Sequence, residues 1–135
     1  MDELRSTSYR CATRHLAVVA FSLLAACAET PQQIEQEGLL FEFTLQSTPR
    51  LAALCAARHS EQIPDASFIT QMREMETAGD YEVVVRYGQG VFDAPLPFAV
   101  IRMQARNGAT AVKISTQRLP KHFVDELLRT VRVHC

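Results

Sequence analysis

The chain has 135 residues, with 14 Lys and Arg against 15 Asp and Glu for a formal charge of −1. That length holds one small domain with a modest core and not two. The near-neutral balance gives no basic excess of the kind that points to nucleic acid or to an anionic lipid surface.

Taken in chain order, the first stretch reads as an address. Arg5, Arg10, Arg14 and His15 precede an apolar run over residues 16–26, which closes on Leu24-Ala25-Ala26-Cys27. A charged leader, an apolar stretch and small residues before a cut are the three parts of an export signal. The closing four residues resemble the lipobox of bacterial lipoproteins. That resemblance implies that residues 1–26 are a signal peptide cut just before Cys27, whose thiol carries a diacylglycerol and whose new amino group is usually acylated. The apolar run is about half the ~20 residues that a helix needs to cross a bilayer, which disfavours an uncleaved anchor. Two or three acyl chains give stable attachment where one is marginal. In the lipoprotein family an Asp after the cysteine commonly retains the protein in the inner membrane. Ala28 stands there, so the resemblance implies a lipid-anchored protein of the outer membrane facing the periplasm.

Residues 27–38, which begin with the lipidated cysteine, are polar with Ile34 as the single branched aliphatic side chain, and read as a flexible tether. A single domain is expected over residues 39–135. Its first strand shows in the alternation of Leu39, Phe41, Phe43 and Leu45 with Leu40, Glu42, Thr44 and Gln46. Pro49, after Ser47 or Thr48 as a cap, opens a helix to about Ser60 with Leu51, Leu54, Cys55 and Arg58 at helical spacing, which places Cys55 on its apolar face.

Residues 68–75 suit a strand or a helix, and Thr77-Ala78-Gly79-Asp80 supplies turn chemistry before a β-prone run over residues 81–87. A Gly- and Pro-punctuated loop leads to strands over residues 98–106 and 109–115, joined by Asn107-Gly108, the strongest short hairpin signal. Pro120 then opens a helix with Phe123, Val124, Leu127, Leu128 and Val131 on one stripe. The order β-α-β-β-β-β-α predicts an α+β fold, an antiparallel sheet of four or five strands with two helices on one face. It resembles the TBP-like or helix-grip architecture, also found in domains of the lipoprotein component of the outer-membrane β-barrel assembly machine. The resemblance bears on the fold alone.

Export to an oxidising periplasm changes how the cysteines read. Cys11 leaves with the signal and Cys27 is lipidated, so Cys55 and Cys135 remain as an available disulfide pair. His59 lies four residues after Cys55 and His134 adjoins Cys135, a set that could gather around a tetrahedral metal. In that compartment the disulfide is expected, with no metal and no cofactor.

No Gly-x-Ser-x-Gly elbow, His-Glu-x-x-His or phosphate-binding glycine loop is present, so no catalytic residue is assigned. One binding chemistry is legible. If Val83, Val85, Ile101, Met103, Val112 and Ile114 point inward, then Glu82, Arg86, Arg102, Gln104, Arg106 and Lys113 share the opposite sheet face. Arg86, Arg102, Arg106 and Lys113 form a candidate surface for an anionic glycan, a lipopolysaccharide group or an acidic protein, with a plain solvated face as the alternative. The loop residues Phe92, Leu96 and Phe98 either fold onto the core or dock a partner. The expected role is non-enzymatic binding or assembly in the envelope, with an envelope protein or glycan as partner. The alternative is a lysozyme-inhibitor-like lipoprotein that plugs a periplasmic enzyme.

Overall fold

The computed structural model describes residues 30–88 and 95–135. The signal segment, Cys27 and the loop residue Phe92 lie outside the described residues. The elements run α1 (Pro31–Glu37), β1 (Leu39–Leu45), α2 (Pro49–Ser60), β2 (Phe68–Glu74), β3 (Tyr81–Tyr87), β4 (Leu96–Arg106), β5 (Ala109–Thr116) and α3 (Lys121–His134). The five strands form one antiparallel sheet in the order β1-β5-β4-β3-β2. The α+β class and the antiparallel sheet are as expected. Its strand count is five, because residues 68–74 pair with β3 along their whole length. That pairing overrides the helix-forming Gln71, Met72, Arg73 and Glu74, since a strand that buries Phe68 against the core gains more than local propensity offers.

Local chemistry accounts for the connections. Asn107 and Gly108 have φ of 52° and 77°, the positive values that a two-residue hairpin turn requires, and Arg106 pairs with Ala109 across it. A bulge at Val85/Arg86 lets Phe98 turn into the core. Thr48 Oγ1 accepts from Leu51 N at 3.4 Å to cap α2, with Pro49 in the first turn.

The inner face of the sheet carries Val83, Val85, Phe98, Ile101, Met103, Val112 and Ile114, all buried beneath α2 and α3. Phe68, Tyr87, Phe98 and Phe123 form an aromatic cluster at one end, with centroids 4.9–6.2 Å apart. Burial pushes the Tyr87 phenol up to about 12. Arg132 covers the Phe43 ring at 4.8 Å and closes the core at the β1 edge.

Two expectations need correction. Leu51 and Leu54 are 58% and 47% exposed, whereas Ala52, Ala53 and Ala56 are fully buried, so α2 packs through alanines and not through its leucine stripe. Small side chains bring the α2 backbone against β2, β3, β4 and β5, while α3 reaches in with the longer Val124, Leu127, Leu128 and Val131. Cys55 sits partly buried at the border of these two stripes.

Residues 31–37 are also not part of a tether. Thr30 and Gln33 form a reciprocal capping box, Thr30 N donating to Gln33 Oε1 at 2.8 Å and Gln33 N to Thr30 Oγ1 at 3.2 Å. The short helix lies on the outer face of the sheet over β4 and β5, and Ile34 is 1% exposed. Gly38 permits that approach, because a Cβ there would collide with the carbonyl oxygens of Ile34 and Thr116. Helices therefore cover both faces, α2 and α3 on one and α1 on part of the other. Cys55 and Cys135 are joined by a disulfide that staples α2 to the end of α3. Among the described residues no helix is long and apolar enough to cross a membrane.

Candidate functional site

The outer face of the sheet is built in rows, because antiparallel pairing sets one residue from each strand side by side. The row Leu40-Ser115-Val100-Val84-Gln71 lies near α1, and Ser115, Val100 and Val84 are buried there together with Ile34. The next row is charged throughout: Glu42 on β1, Lys113 on β5, Arg102 on β4, Glu82 on β3 and Arg73 on β2. Beyond it lie Thr44, Ala111 and Gln104, and then the hairpin with Arg106.

Glu82 anchors the charged row. Its side chain is 3% exposed, an expensive place for a carboxylate unless it is paired. Arg73 Nε donates to Glu82 Oε1 at 2.7 Å, and Arg102 Nη2 stands 3.5 Å from Glu82 Oε2. The hydrogen bond and the charge of Glu82 raise the pKa of Arg73. Arg102 Nη2 also donates to Glu35 Oε2 at 2.9 Å, which ties α1 to the sheet. Glu35, Glu42 and Glu82 thus stand against Arg73, Arg102 and Lys113, and the patch is close to neutral.

Two open hollows flank this row. One of about 330 Å³ lies toward β2 and the turn at Thr77 and Asp80. The other, about 770 Å³, lies toward β1 and the hairpin, with Glu42, Thr44, Arg106, Asn107 and Lys113 around it. Arg102 and Gln104 line both and form the ridge between them. Gln104 Nε2 donates to Asp80 Oδ2 at 3.3 Å, which holds the ridge upright. The result is a shallow polar groove with donors and acceptors in alternation.

Of the residues proposed from sequence, Arg102, Arg106 and Lys113 come together around the larger hollow. Arg86 does not join them. It lies opposite Pro97 and Ile69, nine residues along β4 from Arg106, roughly 30 Å away at the rise of a strand. Lys113 and Arg106 are exposed, whereas Arg102 is engaged by Glu35 and Glu82. Glu35 is the site residue that the pattern missed, and Glu82, placed on this face by its alternation, was given no role there. Thr30-Pro31-Gln32-Gln33 carried a signal for the helix that positions Glu35, a cap residue with Pro after it and Gln three positions on.

Leu96 and Phe98 belong to β4, Leu96 39% exposed at its start and Phe98 fully buried in the aromatic cluster. Cys55 and Cys135 lie away from the groove, on the helical side. Among the described residues no group of three His, Cys, Asp or Glu side chains is placed to hold a metal. Compared with known protein families, curated proteins and solved structures, the chain finds no match.

Proposed function

We propose that this chain is a small envelope lipoprotein, anchored through Cys27 and facing the periplasm from the outer membrane, that presents one α+β domain for binding and not for catalysis. The lipobox residues Leu24-Ala25-Ala26-Cys27 support the anchor, and the open polar groove about Arg102 and Gln104 is the observation that supports binding. The groove offers guanidinium, ammonium, carboxylate and amide groups in near balance. It suits a partner with mixed polarity, an envelope protein loop or a glycan, better than a polyanion. Only residues 28–30 separate Cys27 from the first turn of α1, a reach of about 11 Å at full extension, so the domain is held against its membrane.

Two measurements test this. Mass spectrometry of the membrane-extracted protein should find diacylglyceryl-modified Cys27 as its first residue, and residues 1–26 still attached to the mature protein would refute the anchor. For the groove, Arg106→Gln with Lys113→Gln should change stability by no more than about 0.5 kcal/mol, as surface substitutions do. The same variant should lose the cross-links that a photo-reactive residue at position 104 forms in intact envelopes. Unchanged cross-links in a variant with an unchanged melting temperature would reduce this face to solvated surface.

A further inference from the structure

Composition and structure pull α1 in opposite directions. Its seven residues carry five polar side chains and one branched aliphatic, the make-up of a tether, and a helix so short is not stable in water by itself. The segment is helical because it is docked. Ile34, its one buried residue, sits over the row that holds Ser115, Val100 and Val84. Both carboxylate oxygens of Glu35 meet the Arg102 guanidinium, one at Nε and the other accepting from Nη2 at 2.9 Å. Val100 and Arg102 are two residues apart on β4, so the apolar seat and the cationic seat lie about 7 Å apart on one face.

This face is larger than the helix that covers it. While α1 lies over β4 and β5, the same face continues to Leu40 on β1 and Ile69 on β2, which are 53% and 47% exposed. It is also contested. Arg102 lines both hollows of the groove, yet Glu35 holds the forked edge of its guanidinium that a carboxylate from outside would take. Glu35 and an incoming acidic group cannot both have it.

We propose that α1 is a built-in competitor for the binding face, and that the partner is a protein segment presenting an aliphatic side chain beside a carboxylate, the chemistry that Ile34 and Glu35 already seat there. The partner gains Arg102 and the apolar row only when α1 leaves. Released residues 28–38 reach about 36 Å, against about 11 Å for residues 28–30, so the exchange also lets the domain move away from its membrane. An open state populated on the order of 1% lowers the partner's apparent affinity on the order of 100-fold. This inference rests on the groove reading and narrows its partner to a protein. A glycan brings no aliphatic side chain and would bind the groove with α1 in place.

The test uses the full-length chain purified from envelopes and a fluorescently labelled peptide of residues 28–38 as probe. Ile34→Ser with Glu35→Gln empties both seats and leaves the face itself unaltered. By fluorescence anisotropy the peptide should bind this double variant on the order of 100-fold more tightly than the unaltered chain. Peptides carrying Ile34→Ser or Glu35→Gln should each bind at least about 10-fold more weakly. Hydrogen exchange on the unaltered chain needs no variant to fold: the amides of residues 34–38 should exchange at least about 10-fold faster than those of β4 and β5. Equal affinity for the two chains, indifference to the peptide changes, or α1 amides as slow as the sheet would each overturn the proposal. A photo-reactive residue at position 104 in intact envelopes separates it from the groove reading. Cross-links that the double variant strengthens and the peptide suppresses support both. Cross-links that neither changes leave the groove standing and overturn the competitor, the result that a glycan partner would give. No cross-links in any form would overturn the two together.

Discussion

The two faces of the sheet solve the same burial problem by different means. The inner face is mostly apolar, and α2 and α3 cover it with a disulfide between them. The outer face carries one small apolar row, which the seven residues of α1 cover, and a charged row that stays open. Inside, stability comes from area removed from water, which is non-directional and insensitive to pairing order. Outside, Glu82 is tolerated only because two guanidinium groups reach it, so geometry and not area decides. A face held by pairing leaves polar groups presented in fixed positions, and that is what a binding surface needs.

The contrast is most exposed to test at the staple. Replacing Cys55 and Cys135 by Ala should destabilise the chain by about 4.5 kcal/mol, the chain-entropy value for a loop of this length. Urea unfolding would show it as a lower midpoint, and an unchanged midpoint would mean that the staple restrains nothing. Ile101→Ala removes a fully buried side chain from the inner face, with an expected loss of about 3–4 kcal/mol. Ile34→Ala is the matching change on the outer face, at about 2–3 kcal/mol. A loss near zero there would return α1 to the tether that its composition suggests.

Glu82→Gln probes the paired face directly. Removing one partner of a buried pair costs about 3–5 kcal/mol when the other charge is stranded. Here Arg102 keeps Glu35 and Arg73 is 60% exposed, so about 2 kcal/mol is expected, with little further loss when Arg73→Gln is added. A large additional loss from Arg73→Gln would show that the two act separately. The smallest effect at neutral pH belongs to the aromatic end of the inner face. Burial raises the Tyr87 phenol to about 12, against an unfolded value of about 10. The unfolded chain therefore loses this proton first, and stability falls as pH rises from about 10 to about 12. Tyr87→Phe should remove that slope from a pH series of thermal melts, and a slope that survives would assign it elsewhere.

Much of the fold was legible because its signals are local. The period-two run of β1, the Asn107-Gly108 turn, Thr48 and Pro49 at the start of α2 and the stripe of α3 each lie within a few residues of the structure they specify. The alternation along β3, β4 and β5 likewise put Arg102, Arg106 and Lys113 on one face. Pleating alone achieves that, since successive side chains of a strand point to opposite sides.

Everything that depends on a distant partner had to wait for the assembled fold. Composition could not show that β2 is a strand, because its pairing with β3 outweighs its own propensity. Nor could it choose between the leucine and the alanine stripe of α2, a choice made by how close the helix must come to four strands at once. A shared sheet face is not a shared place: the strand rise carries Arg86 far from Arg106, while the fold brings Glu35 onto Arg102 from 67 residues away. Periods, turns and caps are properties of neighbouring residues, and the order of amino acids suffices to set them. Distances between elements, and with them the groove and the Cys55–Cys135 staple, exist only once the sheet has assembled and the helices have closed on it.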